Sequence, residues 1–241
     1  KNVGRVAGRI PNHTLVIGEN SYDLSANERT NTLHGGHDGI ATKQFLYLTD
    51  EQDDFYTVDY YLLSKDGESG FPGDANIKIS YKIYKEVSRI DIRYEVVCSK
   101  DCPFSITTHT FFNLGDENLK DLSLYVNASK YVRASYETLV QEETLDIPSC
   151  LDFRKTRKII DTIDDPLMNQ GVIQGYDHYL LFDNNNTEKP QIILENSRHI
   201  LKIYTDYNSS VFYSDNNIDS LKLNNSKRNN RRGLALEPQI S

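Results

Sequence analysis

The sequence predicts an all-β fold, a large antiparallel β-sandwich with very little helix, and three observations predict it. Apolar and polar residues alternate with a period of two through many short runs, as they do in half-buried antiparallel strands. Polar turn signals such as "DGESGFPGD" and "DNNNTEKP" separate those runs. Sustained helical periodicity is absent, and "TIDDPLMNQG" (162–171) holds a turn or two at most. Many short strands joined by polar turns build a sandwich or a barrel.

Taken in order, "GRVAGRI" (4–10) is a glycine-broken strand and "HTLVIG" (13–18) a short one. "NTLHGGHDG" (31–39) is a Gly-rich loop, followed by strands in "KQFLYLT" (43–49) and "FYTVDYYLL" (55–63). "ANIKISYKIY" (75–84) sets Ile77, Ile79, Tyr81 and Ile83 on one face, against Lys78, Ser80 and Lys82 on the other. "SRIDIRYEVV" (88–97) sets Ile90, Ile92, Tyr94 and Val96 against Asp91, Arg93 and Glu95, so with "KEVS" between them the two runs read as a hairpin, apolar side inward. "FSITTHTFFNLGD" (104–116) reads as a strand holding His109 in its middle and ending in an Asn-Leu-Gly-Asp turn. Further strands are expected in "LSLYVNA" (122–128), "HYLLFD" (178–183), "QIILEN" (191–196), "HILKIYTD" (199–206), "SVFYSD" (210–215) and "RRGLALEPQ" (231–239).

The 241 residues carry no internal repeat and no linker, so 1–241 is read as a single domain, large enough to fold without a disulfide or metal staple. A net charge of −8 argues against a nucleic-acid partner, and the basic stretch "SKRNNRRG" (226–233) reads as a solvated loop. No run approaches the roughly 18 apolar residues that span a bilayer, so no membrane partner is expected. No leader pattern opens the sequence. Three cysteines, an odd number without C-x-x-C spacing, fit a reducing compartment, and a cytoplasmic location is expected.

Four polar clusters interrupt the alternation: Arg5 and Arg9 in "GRVAGRI", His34 and His37 in the Gly-rich loop, Asp177 and His178 in "GYDHYLLFD" (175–183), and Glu237 with Gln239 in "LALEPQ". Each has a plain structural reading. Arg9 could be a surface ion-pair partner, and Asp177 could cap a turn beside Gly175. Two histidines without a third ligand do not make a zinc site, so no metal is expected. Glu237 is harder to dismiss, because a carboxylate in an apolar strand needs a partner there.

Together the clusters resemble the aldose 1-epimerase (galactose mutarotase) family. "GRVAGRI" resembles its Gly-Arg-x-x-Asn-Arg-Ile segment, and "NTLHGG" its Asn-x-Leu-His-Gly-Gly loop. "THTFFNL" is similar to its Asn-His-x-Tyr/Phe-Phe-Asn-Leu strand, and "LDFR" (151–154) to its Asp-Phe-Arg turn. "GYDH" matches, and "LALEPQ" resembles the segment with its catalytic glutamate. Gly8 and Thr108 stand where the family usually has Asn, and "LVQEETLDI" (139–147) lacks a frequent Pro-Thr-Gly turn. The resemblance further implies that family segments before the Gly-Arg motif and after the glutamate motif fall outside 1–241.

It implies a galactose mutarotase-like supersandwich, a small-molecule aldose substrate and no cofactor. By motif position Glu237 corresponds to the general base and His109 to the general acid. Arg9, His34 and Asp177 correspond to residues that hold the sugar hydroxyls and ring oxygen, and Gln239 lies in the glutamate motif as a further sugar contact. The chemistry agrees, since mutarotation needs a base for the anomeric hydroxyl and an acid for the ring oxygen, roles that reverse when the ring closes. Three rivals are a hexose-6-phosphate epimerase with Arg5 and Arg9 near the phosphate, a non-catalytic sugar-binding module, and a glycosidase using Asp177 and Glu237. The glycosidase is disfavoured by the absence of any tryptophan to stack on an extended glycan.

Overall fold

Alternating apolar and charged side chains define the strands, and the computed structural model describes them over residues 1–135, 140–171, 173–216 and 231–240. The basic stretch 226–233 lies outside the described residues up to position 230. Two compact units divide the chain, Asn2–Ile106 and Thr107–Ser241, with Lys1 belonging to the latter.

The first unit contains β1 (Asn2–Val3), β2 (Arg9–Ile10), β3 (Thr14–Ile17), β4 (Asn20–Asp23), β5 (Thr32–Leu33), β6 (Leu46–Glu51), β7 (Phe55–Ser64), β8 (Ala75–Tyr84) and β9 (Ile90–Cys98). Strands β6 to β9 form an antiparallel sheet in sequence order, with the expected β8–β9 hairpin. Its core gathers Ile40, Ala75, Ile77, Ile79 and Ile106. The inward reading holds for Ile77 and Ile79 but not for the distal end, where Ile83, Ile90 and Ile92 are exposed. The strands are longer than the core they cover, and alternation cannot say where a core stops.

The second unit contains β10 (Thr107–Thr108), β11 (Phe111–Phe112), β12 (Ser123–Val126), β13 (Ala128–Ala134), β14 (Gln141–Asp146), β15 (Arg157–Lys158), β16 (Asp177–Phe182), β17 (Ile192–Glu195), β18 (Ile200–Ile203), β19 (Ser209–Tyr213) and β20 (Leu234–Gln239). A six-stranded sheet, β11-β20-β19-β16-β13-β14, packs on a four-stranded one, β15-β12-β17-β18. Between them Leu180, Phe212 and Leu236 meet Leu124, Val126 and Ile192, all buried. Each such side chain contributes roughly 1.5–3 kcal/mol by leaving water.

Helical structure among the described residues is confined to short 3-10 turns such as Pro166–Met168. No helix is long and apolar enough to cross a membrane. Cys98, Cys102 and Cys150 are free thiols.

Candidate functional site

The register of the six-stranded sheet decides which side chains share a face. Phe111 pairs with Ala235, Tyr213 with Ala235 and Asp177, and Val211 with Glu237 and Tyr179. Directly paired residues point the same way and successive residues alternate. One face therefore carries Phe111, Tyr213, Asp177, Tyr179, Glu237 and Gln239. The other carries Leu180, Phe212, Leu236 and His178, which line the sandwich core. The second unit thus segregates its chemistry onto the sheet face turned away from that core.

His109 does not sit in the middle of a continuous strand as the sequence predicts. It lies in the break between β10 and β11, where Thr108 and Thr110 hydrogen-bond to each other at 2.8 Å and point away from it. The expected Asn-Leu-Gly-Asp turn is present, with the Asp116 amide donating to the Asn113 carbonyl at 2.9 Å and Gly115 at φ 83°. Pairing of Phe111 with Ala235 and Phe112 with Leu234, continued two residues back, sets His109 opposite Glu237. Their side chains meet, with Nε2 3.3 Å from Oε1.

Glu237 is only 2% exposed. His109 packs against Phe111 at 5.1 Å and Tyr213 at 6.4 Å between ring centroids. Burial holds the imidazole below its ordinary pKa, since a low-dielectric setting penalises the charged ring. The arrangement sets a half-buried imidazole and a buried carboxyl group within hydrogen-bonding reach of each other.

Asp177 opens β16, half-buried, two strands away from Glu237 across the sheet and two residues off its register, since Glu237 lines up with Val211 and Tyr179. Gln239 lies two residues beyond Glu237 on the same face and is 1% exposed. Its Oε1 and Nε2 find no hydrogen-bond partner among the described residues. Beside it, the Ser209 hydroxyl reaches the Gln239 carbonyl at 2.5 Å and the Tyr179 hydroxyl donates to the Ile240 carbonyl at 2.9 Å. The backbone end of β20 is pinned while the amide side chain is left unsatisfied, which is uncommon for a buried polar group.

Arg9 and His34 belong to the first unit, where β2 pairs with β5. Arg9 Nε and Nη2 donate to both carboxylate oxygens of Glu28, at 2.6 and 2.9 Å. His34 Nδ1 accepts the Gly8 amide at 3.2 Å, and the His34 amide donates to the Gly8 carbonyl at 2.9 Å. A neutral His34 therefore carries its proton on Nε2. The two glycines after it are obligatory: a Cβ on Gly35 would lie 1.9 Å from the Gly4 carbonyl oxygen, and one on Gly36 2.2 Å from Ser25 Oγ. His37 is exposed, its Nε2 near the Ala26 carbonyl at 3.1 Å.

Arg5 is buried, and its guanidinium donates to Ser64 Oγ and to the carbonyls of Ser64, Lys65 and Pro72 at 2.9–3.0 Å. It is a structural arginine rather than a ligand for an incoming phosphate. Sequence reasoning had passed over Tyr213 and Glu28. Tyr213 is flagged only by register, and Glu28 only by the pairing that brings it to Arg9.

The sequence model of the family described as Aldose 1-epimerase matches residues 1–241. The chain is 28% identical over 223 residues to an aldose 1-epimerase of Escherichia coli K12, covering 89% of this chain and 62% of that protein. It is 29% identical over 250 residues to the galactose mutarotase of Mus musculus, covering 98% of this chain and 68% of that one. The crystal structure of galactose 1-epimerase from Lactobacillus acidophilus NCFM matches with a TM-score of 0.88 at 27% identity, over 99% of this chain and 70% of that one. The chain thus spans about three-fifths of the length of the bacterial relative, 62%.

Proposed function

This chain belongs to the aldose 1-epimerase family, and on that premise we propose that it interconverts the α and β anomers of a free hexose such as galactose or glucose. The observation that carries the reading is the 3.3 Å approach of His109 Nε2 to Glu237 Oε1. In mutarotation the two oxygens that exchange protons, the anomeric hydroxyl and the ring oxygen, are bonded to one carbon. The acid and the base must therefore stand side by side. Glycosidase carboxyls instead flank the scissile bond at about 5–9.5 Å.

In this reading Glu237 removes the proton of the anomeric hydroxyl while His109 delivers one to the ring oxygen. The C1–O5 bond breaks as the C1–O1 bond becomes a carbonyl, and the aldehyde rotates about C1–C2. Closure runs the same transfers backward: His109 takes the proton from the C5 hydroxyl and Glu237 returns one to O1. Each proton leaves and returns, so no cofactor is required. Asp177 and Gln239, on the same sheet face, are read as hydroxyl ligands, and Arg9 and His34 keep the sugar-holding roles that the family resemblance gives them. Residues 1–241 are read as one domain of the family, located in the cytoplasm.

The hexose-6-phosphate alternative is weakened because the guanidinium of Arg5 is taken up by Ser64, Lys65 and Pro72, and that of Arg9 by Glu28. Polarimetry of freshly dissolved α-D-galactose, α-D-glucose and α-D-glucose 6-phosphate tests the proposal. The expected result is faster mutarotation of a free hexose, lost in Glu237→Gln. Acceleration of the phosphate ester alone replaces it with the phosphate-specific reading. Sugar binding without acceleration replaces it with a binding module.

A further inference from the structure

The backbone of β16 has an unusual beginning. The Tyr176 carbonyl accepts the Ser214 amide at 3.1 Å, and the Tyr176 amide donates to Ser214 Oγ at 2.8 Å, so Tyr176 faces β19. Backbone groups alternate sides along an antiparallel strand, so the Asp177 amide faces β13 instead. Pairing of β13 with β16 ends at Val132↔Tyr179, two residues short of Asp177. The amide that the ladder does not reach donates to Nδ1 of the next residue, His178, at 3.1 Å.

His178 is built for that task. Its ring lies on the core face, 7% exposed, with Tyr131 and Tyr176 each 6.5 Å away between ring centroids. Accepting at Nδ1 requires an unprotonated nitrogen there, and burial lowers the His178 pKa to about 4, which keeps the ring neutral at physiological pH. Leu167 and Ile173 line the same small cavity. Asp177 opens the strand, held from the β19 side through Tyr176 and, at its own amide, by His178.

We propose that His178 is a positioning residue: its Nδ1 accepts the Asp177 amide beyond the end of the β13–β16 pairing and so helps to fix the direction in which the Asp177 carboxylate meets the sugar. The assignment rests on the reading of Asp177 as a sugar ligand. His178 itself points away from the substrate face and takes no part in proton transfer.

The test compares His178→Asn, whose Oδ1 falls near the Nδ1 position, with His178→Gln, whose acceptor falls near Nε2, and with Asp177→Ala, by steady-state mutarotation of α-D-galactose. Asn and Gln are similarly polar, so a general cost of burying an amide falls on both. The expected result is a KM raised about tenfold in His178→Gln with kcat within about threefold of the parent, and a KM near the parent value in His178→Asn. Asp177→Ala with a raised KM but His178→Gln at the parent KM overturns the positioning role alone, as does an equal loss in both His178 variants. Asp177→Ala at the parent KM overturns the reading of Asp177 and the positioning role with it. His178→Leu, which suits the apolar surroundings, repeats the comparison if the Gln variant does not fold, with the same outcomes.

Discussion

Gln239 carries a buried amide whose oxygen and nitrogen find no partner among the described residues. A buried amide with neither oxygen nor nitrogen paired costs the folded protein about 1–3 kcal/mol for each unmet group, which selection tolerates where a ligand or ordered water meets it. Gln239→Leu is accordingly expected to leave the sugar-free protein as stable as the parent or more so, by about 1–2 kcal/mol, while raising KM for the hexose. Urea denaturation beside mutarotation kinetics checks it; a destabilised variant with unchanged KM contradicts the assignment. At this level the motifs single out His109, Glu237 and Asp177 in the sequence as candidates. Their geometry was not legible there, because it rests on a register, Phe111 with Ala235, that no local pattern encodes. Tyr213 stayed hidden among 16 tyrosines; His178 stood out in "GYDH", but not its bond to a backbone amide.

The loop holding His34 depends on glycine rather than on side-chain packing. Gly35 sits at φ 87° with its α-carbon against the Gly4 carbonyl, so any Cβ both clashes and strains the backbone. Gly35→Ala is expected to cost on the order of 3–5 kcal/mol, read as a lowered unfolding midpoint. A stability within 1 kcal/mol of the parent, a small effect on that scale, would mean that the loop rearranges freely. Strands were legible where alternation was clean, as in β8 and β9. β14, "QEETLD", was not: it is a charged edge strand, exposed along almost its whole length, with no apolar face to betray a period. The expected strand over 122–128 runs through β12 to Ala128, the first residue of β13, because Val126, Asn127 and Ala128 offer no turn signal, and the rest of β13 has no counterpart among the expected strands.

For the molecule as a whole, the absence of any linker is the ground for reading one domain, and within it the described chain gathers into two compact units, each with its own core. The distinction is invisible to composition, because both units draw on the same alternating strands. Stability carries a signature of the buried His178. Its folded pKa of about 4 lies below its ordinary 6.5, so between those values the unfolded chain binds a proton that the folded chain refuses. Stability therefore rises with pH across that window and is lost as pH falls from 6.5 toward 4, by at most about 3 kcal/mol for this group. Chemical denaturation between those pH values should show a shallower acid-side fall in His178→Leu than in the parent. Parallel curves would place the proton elsewhere.

In the proposed reaction His109 and Glu237 work as one acid/base unit. The most direct measurement is the kcat for α-D-galactose mutarotation in Glu237→Gln, His109→Gln and the double variant. Each single change is expected to lower kcat by about 10²–10⁴, and the double variant to fall little further, since either loss already breaks the shared proton transfer. Losses that multiply in the double variant, or a single variant that keeps the parent kcat, would contradict the pairing.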